Sequence, residues 1–370
     1  MCRYDSPNIP RPRPPMSHLN KLQSWLHSKR LSGLWITKPE NIQWLTGFTG
    51  SFAIALIQKR GKNFLITDGR YATKAKAFCK NSEFEFFLYD QDFKEKIAKA
   101  FTGTAYGVED SLTLARFENM KKQLPRINWK TQSDVVEKLR RAKTKTEIQH
   151  ITQAQNHVDQ IFKTFFHQHL HIGVTERELA YKLQQAIEDG GKYELSFDLI
   201  VAFGSNSALP HHHNSDRKLQ KNENILVDCG AKYQGYCSDM TRNIWFGDQI
   251  DPAYQEKYDL LLQAQTSALA MITPETRVKA IDQHCRKCLG AEVEAFTHSL
   301  GHGVGLEIHE LPNCSKRSKE SLIVDEVVTV EPGVYYEGRF GIRIEDLVVV
   351  QTDEPRVLSR TGKEVMQISP

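Results

Sequence analysis

The pattern of apolar and polar positions in the first third of the chain alternates between helical and extended periods. Apolar residues at Leu19, Leu22 and Leu26 predict an amphipathic helix. Residues 33–37 form a short apolar run typical of a buried strand, and similar runs recur as far as the segment EFEFFLYD. Helices and strands that alternate in this way predict an α/β domain, which we place at residues 16–135.

The rest of the chain, residues 136–370, opens with two strong helix signals. Thr144 and Glu147 have the spacing of a capping box, and so do Thr175 and Glu178. Apolar positions with a helical period follow each box, so we predict two amphipathic helices. Two more helices are predicted within DPAYQEKYDLLLQAQTSALAMI and TRVKAIDQHCRKCL. A length of 370 residues also suggests two domains, at about 100–200 residues each.

Composition narrows the class of protein. Residues 1–15 are polar and rich in proline, which predicts a flexible leader. The net charge of +4 is too small for this length to indicate a nucleic-acid partner. The sequence contains no apolar run of about 18 residues, so no membrane span is predicted. Seven irregularly spaced cysteines favour reduced thiols, and hence a cytoplasmic protein, over a disulfide framework.

An acidic pair falls on a predicted hairpin. The stretch ILVDCGAKYQGYCSDMTR predicts two strands joined by a tight turn centred on Tyr233-Gln234. That turn places Asp228 opposite Asp239. Directly opposed carboxylates repel each other, so the pair indicates a bound cation; two solvent-facing acids at a hairpin are the alternative.

A second acidic pair and a histidine extend this set. The segments VVTVEPGVYY and GIRIEDLVVV predict paired strands with a turn near Gly338, which places Glu331 opposite Glu345. His302 lies in the glycine-rich segment GHGVG, between the two hairpins. Two Asp, two Glu and one His form a hard, oxygen-rich ligand set. Such a set suits two divalent cations bridged by carboxylates and by a water or hydroxide.

The order of these five residues resembles that of the pita-bread metallopeptidases, which include Xaa-Pro aminopeptidase, Xaa-Pro dipeptidase (prolidase) and methionine aminopeptidase. The segments VDCGAKYQGYCSDMTR, SLGHGVGLEIHE, TVEPGVYY, GIRIED and ALPHHHNSD carry the resemblance. It covers the second half of the chain closely and the first half more loosely. It implies an α/β (α+β) chain with a pita-bread catalytic domain after a smaller creatinase-like domain. In this family the smaller domain helps to form a homodimer.

The resemblance implies that the metal ligands are Asp228, Asp239, His302, Glu331 and Glu345. Asp239 and Glu345 are then the bridging ligands, and Glu331 passes a proton from the attacking water to the leaving amine. The oxygen-rich set favours two Mn²⁺ ions, with Co²⁺, Zn²⁺ or Fe²⁺ as alternatives.

Three further residues are expected at the site. The resemblance implies that His211 and His309 lie beside the metals and contact the substrate carbonyl or stabilise the intermediate. Arg343 shares a strand face with Glu345 and can bond the excess carboxylate charge. His212 and His213 are expected to be solvated, as is usual for a short histidine run in a loop.

The sequence therefore predicts a metallopeptidase that cleaves between an N-terminal residue and a following proline with a metal-bridging hydroxide. The long N-terminal domain favours the Xaa-Pro enzymes over methionine aminopeptidase. TDGRYATKA resembles the aminopeptidase pattern more closely, while the metal half resembles prolidase equally well. A non-catalytic peptide-binding member of the fold is the other alternative, and the complete ligand set argues against it.

Overall fold

The computed structural model describes residues 17–370, with only the backbone of Ser17. These residues form two compact units that divide after Arg140. The division follows a short helix that contains the buried residues Val135 and Val136, so this helix belongs to the first unit. The leader predicted at residues 1–15 lies outside the described residues.

The first unit is a six-stranded mixed sheet covered by helices. The strand order is β4-β3-β2-β1-β5-β6. Its core contains Trp35, Leu56, Ile66 and Tyr106. The elements are α1 (Ser17–Lys29), β1 (Gly33–Ile36), α2 (Pro39–Thr46), β2 (Ile54–Gln58), β3 (Asn63–Thr67), α3 (Ala72–Cys79), β4 (Phe84–Leu88), α4 (Phe93–Ala98), β5 (Ala105–Glu109), α5 (Leu114–Gln123), β6 (Asn128–Gln132) and α6 (Val135–Arg140). The α/β alternation predicted for this region is confirmed.

The second unit consists of several short, mainly antiparallel sheets that are covered by helices. Its elements are α7 (Lys145–Phe162), α8 (Phe165–His169), α9 (Glu176–Glu188), β7 (Glu194–Leu195), β8 (Ile200–Phe203), β9 (Glu223–Cys229), β10 (Ala231–Tyr233), β11 (Tyr236–Cys237), β12 (Met240–Phe246), α10 (Pro252–Leu269), α11 (Val278–Leu289), β13 (Gly301–Gly303), β14 (Glu310–Cys314), β15 (Val327–Val330), β16 (Gly333–Tyr336), β17 (Phe340–Arg343), β18 (Asp346–Val349), β19 (Arg356–Val357) and β20 (Met366–Ile368).

Two helix pairs cover the two main sheets of this unit. Helices α7 and α9 pack on the sheet ordered β20-β12-β9-β8. Helices α10 and α11 pack on the sheet ordered β14-β13-β15-β18-β19. Both predicted capping boxes are present, at Thr144 and Thr175. Within residues 17–370, no helix is both long and apolar enough to cross a membrane.

The register predicted for the first acidic hairpin is wrong. The turn is centred on Gln234-Gly235, because Tyr233 pairs with Tyr236. Asp228 therefore pairs with Thr241. Asp239 lies between β11 and β12, outside either strand. Gln234 and Gly235 both have positive φ, 53° and 87°, as a two-residue hairpin turn requires.

The register predicted for the second acidic pair is confirmed on both sides. Val330 pairs with Asp346 in one ladder, and Gly333 pairs with Arg343 in the next. Glu331 and Glu345 fall opposite each other in the gap between these ladders. Both glutamates therefore lie in breaks between strands, and so does Asp239.

Gly230 gives a stability prediction for the metal half of the chain. A Cβ at this position would clash with the carbonyl oxygen of Ser238, on the facing backbone. Backbone must move to relieve this contact, so Gly230→Ala is expected to lower the free energy of unfolding by about 1–3 kcal/mol. Thermal unfolding measures the loss. Gly69→Ala is the control, because its Cβ has no neighbour within 4 Å; equal melting temperatures for the two variants would contradict the prediction.

Candidate metal centre

Three predicted ligands form one compact group. One ligand atom each from Asp239, His302 and Glu345 lies within 4.8 Å of the others. His302 is on β13, while the two acids lie in strand breaks. The side chains of all three are largely buried, and the Nε2 atom of His302 is 3.6 Å from Oδ2 of Asp239.

Hydrogen bonding fixes the tautomer of His302. Its Nδ1 atom lies 3.1 Å from the carbonyl oxygen of Gly303, which can only accept, so Nδ1 carries the proton. Burial, and then the charge of His309, lower the pKa of His302 to about 4. The ring is thus neutral at pH 7 and turns the lone pair of Nε2 towards the carboxylates. This is the state in which histidine binds a metal.

Glu331 joins the same group through His302. Its Oε1 atom is 3.3 Å from Nε2 of His302 and accepts a hydrogen bond from the Thr329 hydroxyl at 3.2 Å. Thr329 also accepts the backbone N–H of His302, at 3.0 Å. One hydroxyl therefore aligns the histidine and the glutamate.

Asp228 is held by Arg343. The Nη2 atom of Arg343 donates a hydrogen bond to Oδ2 of Asp228 at 2.6 Å. The same guanidinium donates from Nε to Thr241, whose hydroxyl donates to Oε2 of Glu345 at 2.8 Å. Arg343, which was predicted to bond the excess carboxylate charge, therefore contacts Asp228 directly and Glu345 through Thr241.

The burial and close packing of several acidic side chains raise their pKa values. Burial first, and then repulsion from Glu345, Asp228 and Glu331, raise the pKa of Asp239 well above its ordinary value. The pKa of Glu345 is raised well above normal by burial and by Glu331 and Asp228. Burial raises the pKa of Glu331 to about 8. One arginine does not offset four neighbouring carboxylates.

The residues fit divalent cations. The Oδ1 atoms of Asp228 and Asp239 are buried and have no hydrogen-bond partner. Buried acceptors in proteins are normally paired, and bound cations supply such partners. Hard oxygen donors with one neutral imidazole suit Mn²⁺ and similar ions. The donor set, the two unpaired oxygens and the raised pKa values therefore all indicate a cation site.

The predicted substrate-side histidines lie at the edge of this group. The ring of His309 is 4.4 Å from that of His302, centroid to centroid. Burial, and then the charge of His211, lower the pKa of His309. His211 is exposed, and the carbonyl oxygen of the preceding Pro210 accepts from Arg343 at 3.3 Å.

Two residues of the site were missed in the sequence. Tyr335 accepts from Arg343 at 2.9 Å, and its hydroxyl is 2.8 Å from Nε2 of His298. Because Nδ1 of His298 donates to the Ser299 carbonyl, Nε2 is the acceptor of the Tyr335 hydroxyl. The signal for Tyr335 was present, since the correct register of its hairpin pairs it with Gly341, two residues from Arg343.

Comparison with known families accounts for both units. Residues 149–352 match metallopeptidase family M24, and residues 18–142 match the creatinase/prolidase N-terminal domain. An uncharacterized peptidase of Staphylococcus aureus is 34% identical over 366 residues, covering 94% of this chain and all of the relative.

Solved structures give the same result for the whole fold. A Xaa-Pro dipeptidase from Bacillus anthracis is 31% identical with a TM-score of 0.90, and covers 95% of this chain and 99% of its own. An X-Pro aminopeptidase from Thermotoga maritima is also 31% identical, with a TM-score of 0.83 and coverage of 92% and 99%. With its acid-rich centre and its two matched domains, this chain belongs to metallopeptidase family M24 and has the pita-bread fold.

Proposed function

We propose that the chain is an Xaa-Pro aminopeptidase, which hydrolyses the bond between an N-terminal residue and a following proline. The observation that carries this proposal is the buried acid group beside a neutral His302, with two carboxylate oxygens left for a cation. Full-length similarity to an X-Pro aminopeptidase and a Xaa-Pro dipeptidase supports the class of substrate.

In this proposal the ligands are Asp228, Asp239, His302, Glu331 and Glu345, around two divalent cations. Bound cations supply Lewis acidity, which polarises a carbonyl and makes a water acidic. Mn²⁺ is the proposed ion because oxygen donors predominate.

The remaining roles belong to the side chains. Glu331 moves the proton to the leaving amine, and its raised pKa is consistent with proton exchange near neutral pH. His211 and His309 contact the substrate carbonyl from the edge of the site. Arg343 orients Asp228 through a hydrogen bond from its guanidinium. A proline substrate offers no N–H at the scissile bond, so recognition of that bond must use its carbonyl.

The second candidate is an Xaa-Pro dipeptidase. At equal sequence identity, the dipeptidase has the higher TM-score, 0.90 against 0.83. The two functions differ in whether the residue after the bond is a free C-terminal proline or continues into a longer peptide.

A set of three peptides tests the proposal. Chelator-treated protein, with Mn²⁺ added back, is given Ala-Pro, Ala-Pro-Ala and the proline-free control Ala-Ala-Ala. Metal-dependent cleavage of Ala-Pro-Ala alone is the expected result. Cleavage of Ala-Pro alone would identify a dipeptidase, and equal cleavage of Ala-Ala-Ala would contradict specificity for proline. No cleavage of any peptide with Mn²⁺, Co²⁺, Zn²⁺ or Fe²⁺ would overturn the proposed function.

A homodimer and a cytoplasmic location are also proposed. The first rests on the creatinase/prolidase N-terminal domain, and light scattering of the purified protein tests it. The second rests on the odd number and irregular spacing of the cysteines.

A further inference from the structure

The carboxylate of Glu176 gathers hydrogen bonds from the segment that carries His211. Glu176 is the first residue of α9 and is fully buried. Its Oε1 atom accepts from the backbone N–H of Phe203 at 2.8 Å and from the Asn206 amide at 2.9 Å. Its Oε2 atom accepts from the hydroxyl and the N–H of Ser215, at 2.6 and 3.0 Å, and lies 2.7 Å from Nε2 of His212. One carboxylate therefore anchors both ends of the loop.

His212 is a donor in this cluster. Burial alone would raise the pKa of Glu176, but hydrogen bonds from Phe203, Ser215, His212 and Asn206 outweigh it, so the pKa is lowered. The ionised carboxylate only accepts, and Nε2 of His212 must therefore carry a proton. The His212 side chain is 8% exposed, unlike the exposed His211 and His213. The expectation that His212 is a solvated surface residue is wrong.

His211 occupies the corner of a turn that is fixed on both sides. The N–H of His212 donates to the carbonyl oxygen of Leu209 at 3.1 Å, which closes a turn with Pro210 and His211 at its centre. Pro210 bonds Arg343 through its carbonyl oxygen, and His212 bonds Glu176 through its ring. The two neighbours of His211 are thus tied to the metal centre and to a buried carboxylate.

We propose that His212 and Glu176 are positioning residues, which hold His211 at the edge of the metal centre. This inference rests on the proposed function. In this proposal His212 acts on His211 through the turn, because its ring bonds Glu176 and its N–H bonds Leu209. Loss of its hydrogen bond frees one side of that turn, so the His211 ring samples positions away from the substrate carbonyl. A displacement of about 1 Å at a substrate-contacting group can cost about 100-fold in rate.

The test compares four single variants and one double variant of the metal-loaded protein on Ala-Pro-Ala. His212→Phe keeps the ring size but removes the donor, and His212→Gln keeps an N–H near the position of Nε2. His213→Phe is the matched control in the same loop. The fourth, His211→Ala, is made alone and combined with His212→Phe. Hydrogen exchange of the Phe203 and Ser215 amides, which donate to Glu176, provides a readout that needs no activity.

We expect His212→Phe to lower kcat by about 10- to 100-fold with little change in KM. His212→Gln should recover most of the loss, and His213→Phe should match wild type. In the His211→Ala background, His212→Phe should cause no further loss, because both changes act on the same group. Exchange at Phe203 and Ser215 should quicken in His212→Phe, while exchange at the His302 amide stays unchanged.

Three results would overturn the inference: wild-type kcat in His212→Phe, an undiminished effect of His212→Phe in the His211→Ala background, or unchanged exchange at both amides. Failure of the proposed function is seen separately, because wild-type protein would then cleave none of the peptides.

Discussion

Asp239→Asn is expected to abolish peptide hydrolysis and, in chelator-treated protein, to raise thermal stability. The first effect follows from the position of Asp239 beside His302 and Glu345 and from its buried, unpaired Oδ1 atom. An amide cannot supply the charge that a shared cation needs. The loss of kcat/KM should exceed the 10- to 100-fold that is typical for residues that only support a metal ligand.

The gain in stability has an electrostatic cause. Without cations, the carboxylate of Asp239 is buried and faces Glu345, Asp228 and Glu331, which together raise its pKa well above the ordinary value. Asparagine keeps the shape of the side chain and removes the free-energy cost of taking up a proton, or of burying a charge, at this position on folding. This combination of results identifies a metal ligand, because replacing a ligand abolishes activity but stabilises the metal-free protein. Replacing a residue that supports the fold would lower stability instead.

Asp346→Asn is the matched control. Asp346 is also buried and follows Glu345 in the chain, but it pairs with Arg242 at 2.7 Å. Asparagine keeps an acceptor for that arginine but removes the negative charge that balances it in the interior, so this variant should lower stability by a few kcal/mol. Metal content by elemental analysis and melting temperature in chelator are measured for both variants. Near-normal turnover and metal content in Asp239→Asn would show that the centre is wrongly assigned.

Local signals in the sequence predicted much of this fold. The capping boxes at Thr144 and Thr175 depend on residues three positions apart, and both are present. The register of the second hairpin depends on a turn near Gly338, whose φ is +72°. In each case the residues that determine the structure are close in the chain, so their pattern is sufficient.

The first hairpin shows how such a prediction goes wrong. Moving the turn by one residue, from Tyr233-Gln234 to Gln234-Gly235, shifts the partner of Asp228 from Asp239 to Thr241. The glycine at the second central position was the overlooked signal, because left-handed backbone is required there. The predicted closeness of the two acids was therefore argued from a wrong pairing, although both belong to the same electrostatic group.

Glu176 shows what sequence reasoning could not find. An acid in the first turn of a helix is common, since the helix dipole favours it. Nothing near Glu176 in the sequence indicates that Phe203 and Ser215 donate to it, because they follow it by 27 and 39 residues. The role of His212 depends on the same long-range folding of the chain.

In chelator-treated protein, stability is expected to fall as pH rises from 6.5 to 8. Asp239, Glu331 and Glu345 have raised pKa values in the folded state, about 8 for Glu331. Between the ordinary carboxyl pKa and these raised values, the folded protein binds more protons than the unfolded chain. Stability therefore decreases with pH in this interval, by on the order of 2 kcal/mol per carboxyl across 6.5 to 8.

Two buried histidines determine why the predicted fall in stability begins near pH 6.5. The pKa of His302 is lowered to about 4 and that of His298 to about 3, mainly by burial. Because their pKa values are lowered in the folded state, these histidines bind fewer protons there than in the unfolded chain. They therefore make stability increase with pH up to about 6.5, the ordinary histidine pKa. Above that pH the contribution of the histidines levels off, and the fall due to the carboxylates predominates.

Saturating Mn²⁺ should remove the fall, because bound cations keep these carboxylates ionised in the folded state at both pH values. Urea unfolding at pH 6.5, 7.2 and 8, with chelator and with Mn²⁺, measures the effect. The double variant Asp239→Asn, Glu345→Gln is the control. Its stability in chelator should change less over this range, since two of the three carboxyls of the centre with raised pKa values are gone. A chelated wild-type protein that becomes more stable from pH 6.5 to 8 would contradict the electrostatic account, and it would also remove the reason to expect that Asp239→Asn stabilises the metal-free protein.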